Sequence, residues 1–166
     1  MSTDMSRVFR KGAIGAMMDE YERAAGELSR LLDTIGDDDF VAVRDLETKD
    51  EDCRSIQTVM RHVVRAGYGY ATKIQVAFGV DAERPEVPLA TRLESQSQLA
   101  EMLAYTEAML SDKWNLSEEQ MMAVEIHAPW GPTFDFEQMF EHAIVHVLRH
   151  RRQLERFLTE PQFRPR

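Results

Sequence analysis

Apolar residues recur at helical spacing in four long segments, and no convincing run alternates with period two. That rhythm restricts the chain to an all-α fold, because a helix buries residues three and four apart whereas a half-buried strand buries every second one. In the first segment Ile14, Met17, Met18, Tyr21, Ala25, Leu28, Leu31, Leu32 and Ile35 form a near-heptad stripe, and Gly36 follows as a helix-terminating glycine. The second helix is expected to begin near Ser55, a good N-cap residue, and to run to Gly79. Ile56, Val59, Met60, Val63, Gly67, Tyr70, Ile74 and Ala77 trace its buried face. Pro85 and Pro88 mark a loop, and a third helix is expected from about Leu93 to Trp114. Ser117 is placed to cap a short extra turn, and the stretch AVEIHAPWGPT, with two prolines and a glycine, excludes a continuous helix. Asp135 followed three residues later by Gln138 opens the fourth helix as a capping box, and Pro161 closes it. The stripe between them includes Met139, Phe140, Ala143, His146, Val147, His150, Leu154, Phe157 and Leu158. A four-helix bundle is the architecture these stripes imply.

Between the first and second helices lies a linker, Gly36 to about Cys53, with eight acidic residues among positions 37–52. It is too polar to pack throughout, although Phe40, Val41, Val43 and Leu46 are available to lie on the bundle. Its length leaves room for a crossing connection, so helices one and two need not be neighbours.

The chain of 166 residues fits one domain spanning 1–166. No stretch reaches the ~20 apolar residues of a membrane helix, and the N-terminus lacks the apolar core of a signal peptide. A single cysteine, Cys53, excludes an internal disulfide framework and suits a reducing compartment, so a cytoplasmic location is expected. Cys53 precedes the second helix, but no second cysteine or adjacent histidine suggests nucleophilic chemistry, and an inert thiol is expected. A net charge of −9 argues against a nucleic-acid groove, which needs clustered cations. Arginines cluster once, at Arg149, Arg151, Arg152 and Arg156, where a solvated helix end matched to the helix dipole accounts for them. The ten methionines fall mostly at core spacing and are expected to fill gaps.

The chemistry is in the histidines. His142, His146 and His150 follow one another at intervals of four on the fourth helix. Two imidazoles one turn apart can converge on an ion at the ~2.0–2.1 Å of a zinc–nitrogen bond. Three in succession cannot, because each step rotates by about 40°. His146 and His150 fall on the buried stripe and His142 at its edge, which favours the 146/150 pair. Two histidines on an apolar stripe are costly to bury without partners, and metal ligation supplies one. The second helix offers one histidine, His62, at the margin of its buried face. Three protein ligands with an open position is the pattern of a catalytic rather than a structural metal. His127, in the loop before the fourth helix, is expected to pack on the surface. Trp130 in the same loop is suited either to lining a pocket or to packing on the bundle end. No GxGxxG, P-loop, GxSxG or HExxH pattern occurs, which leaves nucleotide, triad-hydrolase and zincin readings unsupported.

The segment 142–153, HAIVHVLRHRRQ, resembles the fourth-helix signature of the DinB/YfiT-like metalloenzyme family, roughly H-x3-H-x3-H-R-G-Q. The segment 55–63, SIQTVMRHV, looks like that family's second-helix start, whose histidine is the third ligand. The resemblance implies a DinB/YfiT-like four-helix bundle and a divalent ion, Zn²⁺ or Ni²⁺, held by His62, His146 and His150. It also implies reactions of low-molecular-weight thiols, with S-transfer onto a small electrophilic substrate favoured and metal-dependent hydrolysis next. The alternative it implies is a stress-related metal-binding or scaffold protein without turnover. A homodimer is expected on the same ground, and Arg151 and Gln153 are candidates to support the ligands from behind. Arg152 stands where the family has glycine, which leaves the ligands alone but is expected to crowd a neighbouring helix or subunit.

Overall fold

A computed structural model describes residues 8–164. Four long helices carry the fold: α1 (Gly12–Asp33), α3 (Ile56–Ala77), α4 (Arg92–Met109) and α6 (Phe136–Thr159). Two one-turn helices, α2 (Asp37–Val41) and α5 (Glu118–Met122), sit in the connections. So does a two-residue antiparallel ladder of β1 (Ile126–His127) and β2 (Thr133–Phe134). The ladder occupies the irregular stretch of the sequence and is too short for a period-two pattern to register.

Helix α1 packs on α4 and α6, and α3 packs on the same two, so α1 and α3 stand diagonally across the bundle. The acidic linker is therefore a crossing connection. It is pinned at Phe40, which is buried, while Val41, Val43 and Leu46 are exposed and do not lie on the bundle as expected. Arg44, itself buried, anchors the same segment through Asp39 at 2.6 Å.

The helix starts follow local chemistry. At α6 the Gln138 amide donates to Asp135 Oδ1 at 2.8 Å, and the Asp135 amide donates back to Gln138 Oε1 at 3.0 Å. Ser55 caps α3 by accepting from the Thr58 amide at 3.1 Å, and Ser117 caps α5 in the same way at 3.2 Å. Thr91 and Glu94 form a further box at α4, which starts one residue earlier than expected.

Two helix ends differ from the sequence reading. Gly36 does not terminate α1. It has φ −70°, in the extended region, and serves as the N-cap of α2, while α1 ends at Asp33 with Thr34 as its C-cap, whose hydroxyl donates to the Leu31 carbonyl at 2.7 Å. Helix α4 ends at Met109 rather than near Trp114. Beyond Leu110 the Ser111, Asp112 and Asn115 side chains favour turns over helix, and the Lys113 amide donates to Leu110 at 2.8 Å in a tight turn. Gly79, at φ +80°, ends α3 in the left-handed conformation that glycine adopts without strain.

The core is continuous. Met18, Leu28, Leu32, Ile56, Met60, Met102, Met139, Phe140 and Leu154 lie within it, so most of the methionines fill the interior. Leu158, assigned to the stripe, is instead 39% exposed. The Met102 side chain of α4 packs onto Gly67 of α3, where an added Cβ would stand 2.4 Å from Met102 Sδ. None of the described helices is long and apolar enough to cross a membrane.

Candidate metal centre

Helix α3 presents His62 toward α6, and α6 presents His146 and His150 one turn apart toward α3. His62 Nε2 lies 3.1 Å from His146 Nε2, and His150 Nε2 lies 3.2 Å from the same atom. Ligand atoms of the three residues all fall within 4.8 Å of one another, the one such histidine-containing group among the described residues. His146 is buried, and His62 and His150 are half-buried.

The protons on these rings are set by what lies behind them. Gln153 Oε1 is 2.8 Å from His150 Nδ1, and as a carbonyl oxygen it accepts, so Nδ1 carries the proton and Nε2 is a bare lone pair. Asp52 Oδ2 lies 3.6 Å from His62 Nδ1, a buried nitrogen with no hydrogen-bond partner. The Asp52 charge favours the proton on that nitrogen as well. Two bare Nε2 atoms then face His146 Nε2, which can donate at most one hydrogen and so satisfies only one of them. Three ring nitrogens thus meet with too few protons to bond one another. Such a cluster has the donor set to take a cation. The spacing fits one, since nitrogens at ~2.05 Å around a tetrahedral ion stand roughly 3.3 Å apart.

The electrostatics agree. Burial, and then the neighbouring His150, His62 and His142 rings and Arg149, push His146 down to about 2. Burial also lowers His150, opposed by its hydrogen bond to Gln153. Both imidazoles are therefore neutral at pH 7, the form that ligates metals. Burial alone would raise Asp52, but Arg61 at 2.7 Å and Arg65 at 2.8 Å hold it below the usual carboxylate range.

His142 stays outside the cluster. Its ring centroid is 6.5 Å from that of His146, and it stacks on Trp130 at 5.7 Å and touches Phe134 at 5.3 Å. Tyr70 closes the same aromatic group, 5.3 Å from His142 and 5.6 Å edge-on to His146. Trp130 lines a cleft as well as packing, which joins the two roles left open for it. His127 is largely exposed, 2.8 Å from Thr133 Oγ1 across the two-stranded ladder.

Of the two residues expected to support the ligands, Gln153 does so and Arg151 does not. Arg151 pairs instead with Glu27 of α1 and with Glu155, tying α6 to α1. Arg152 is exposed and crowds no neighbouring helix of the chain. Asp52 was missed. It lay inside an acidic run that looked like a solvated linker, and its signal was its place just ahead of the helix that bears His62. Cys53 is half-buried, and burial raises its thiol despite a hydrogen bond from Gln153, which suits an unreactive side chain.

The cluster opens at His62 onto a cleft of about 740 Å³, walled by Tyr70, Trp130 and His142. A polar cluster built on facing helices beside an open cleft has the architecture in which helix bundles form ligand and metal sites. More narrowly, the chain belongs to the DinB superfamily, which matches residues 20–154. A crystal structure of a mycothiol-dependent maleylpyruvate isomerase superposes on it with a TM-score of 0.56 at 16% identity, a likeness of fold. The alignment covers 89% of this chain and 63% of that one, so the chain spans under two thirds of its neighbour's length. No curated protein sequence matches.

Proposed function

We propose that this chain is a metal-dependent enzyme that holds a divalent ion, Zn²⁺ or Ni²⁺, on His62, His146 and His150 and transfers a low-molecular-weight thiol to a small electrophile. The observation that carries the reading is the meeting of three ring nitrogens at 3.1 and 3.2 Å with too few protons to satisfy them. Membership of the DinB superfamily and a neighbour described as a mycothiol-dependent isomerase support the thiol.

A bound divalent ion supplies a Lewis acid that makes a thiol or a water acidic at neutral pH. The chain's own residues do the rest. Gln153 holds the His150 imidazole with Nε2 inward through a hydrogen bond, and the Asp52 carboxylate, 3.6 Å from His62 Nδ1, acts on His62 through its charge alone. Tyr70 and the bundle core keep water from the buried side of His146, and the cleft leaves the remaining side open to small molecules. An open cleft beside the cluster favours turnover over a storage or scaffold role, since a purely structural site is closed by protein ligands. A homodimer belongs to the same proposal and is checked by sedimentation equilibrium.

Metal analysis of the purified chain, followed by a screen of thiols against a chromogenic electrophile, tests the proposal. One ion per chain and metal-dependent consumption of thiol are expected. Bound metal with no thiol-dependent turnover would leave the scaffold reading standing instead.

A further inference from the structure

The chain carries 29 acidic against 20 basic side chains, yet its main cleft reverses that balance. Arg65, Lys73, Arg84 and Arg149 line it, and no carboxylate does. Arg65 is engaged with Asp52 at 2.8 Å. Among the described residues, Lys73, Arg84 and Arg149 have no hydrogen bond or ion pair. They come from three separate elements: Lys73 from α3, Arg84 from the connection between α3 and α4, and Arg149 from α6.

Their placement follows from packing. Arg84 Cδ lies 3.5 Å from where a Gly69 side chain would begin, so its stem rests on α3 and its guanidinium is held at the cleft. Arg149 immediately precedes His150, and its charge is felt by Tyr70, His142, His146 and His150. It is thus part of the cleft, and not only one of a cluster of solvated cations at a helix end. Lys73 stands eleven residues beyond His62, about three turns along α3, so positive charge runs the length of the opening. Like charges gathered on a concave wall repel one another and focus a positive field into it, and an anion relieves both.

We propose that this cleft binds a small carboxylate-bearing molecule, with the carboxylate held by Arg84, Arg149 and Lys73 and the body laid against Tyr70, Trp130 and His142 toward the histidine cluster. Arginine forks suit carboxylate oxygens, and the flat aromatic wall suits an apolar or unsaturated body. This rests on the reading of the histidine end as a site of thiol transfer and assigns charge to one of its two small molecules. The carboxylate belongs either to the thiol or to the electrophile.

Three probes separate these sources by calorimetry on the zinc-loaded protein: mercaptosuccinate, succinate and 2-mercaptoethanol. Mercaptosuccinate should bind at least about tenfold more tightly than 2-mercaptoethanol, the scale of one or two charge-assisted hydrogen bonds. Mercaptosuccinate exceeding succinate places the carboxylate on the thiol, and equal affinities place it on the electrophile. The double variant Arg84→Gln, Arg149→Gln should lose the tenfold preference while 2-mercaptoethanol binds unchanged. Both side chains are exposed, and circular dichroism confirms that the variant folds. If 2-mercaptoethanol binds as well as the carboxylates, or the preference survives in the double variant, carboxylate recognition is overturned. Succinate titrated into metal-free protein keeps the two proposals apart. Salt-sensitive binding that the double variant loses upholds the cleft even if zinc does not bind, and no binding there overturns it.

Discussion

Helix α3 faces two neighbours in opposite ways. Toward α4 the Met102 side chain fills the space that a Cβ on Gly67 would occupy, and the polar groups there are paired, as Gln75 is with the Tyr105 hydroxyl at 3.0 Å. Toward α6 it brings His62 against His146 and His150, where ring nitrogens meet without the hydrogens to pair them. One seam is filled by packing; the other gathers three ring nitrogens that cannot all pair with one another. The lesson is that a buried seam short of protons marks where a ligand belongs, whereas a tight seam marks where stability comes from.

The two seams should respond to mutation in different currencies. At the α3–α6 seam, His62→Ala or His150→Ala removes one of three nitrogens, and zinc affinity measured by competition with a chelating dye should fall by more than about 100-fold. That exceeds the ~10–100-fold typical of an outer partner, which is what Gln153→Ala should cost, since it frees His150 to rotate and to exchange tautomers. Thermal stability of the metal-free chain should barely change in Gln153→Ala. If Gln153→Ala left affinity intact, the hydrogen bond would have no part in holding the ring.

At the α3–α4 seam, Gly67→Ala should destabilise the fold by up to about 2 kcal/mol, the cost of overpacking less the gain in helix propensity. Zinc affinity should stay within about threefold of wild type. Urea unfolding beside a metal titration checks both, and coupled losses would show that the seams are not independent.

A further effect, of similar size, concerns pH. In the folded metal-free chain burial holds His146 at about 2, against about 6.5 when unfolded. Below pH 6.5 the unfolded chain therefore binds the extra proton. This contribution to stability is whole above pH 6.5 and declines as pH falls toward 2, by at most about 1.4 kcal/mol per pH unit. Unfolding free energies between pH 6.5 and 5 should show that slope, and His146→Leu should flatten it. The same depression means that protons compete poorly for His146.

The helices were legible because their signals are local. Asp135 and Gln138, or Ser55 and Thr58, are three residues apart and settle a helix start within one turn. The His146 and His150 geometry was legible for the same reason, since four residues on one helix fix a direction. Asp52 and Arg149 were not legible in their roles. Each looked like part of a charge run, and its meaning depends on which element packs opposite, which the sequence states only through the whole fold. Gly36 misled because glycine serves equally as a left-handed stop and as an extended N-cap, and only φ separates the two.

The proposed site is three imidazoles, not the acidic linker or His142, around one ion. Calorimetric titration of Zn²⁺ into the metal-free wild type, His142→Ala and His146→Ala tests it most directly. A three-histidine site gives one ion per chain, nearly the same affinity in His142→Ala, and loss of tight binding in His146→Ala. Equal losses in the two variants would contradict the choice of His146 over His142. Tight binding that persisted in His146→Ala would move the site to the carboxylates of positions 37–52.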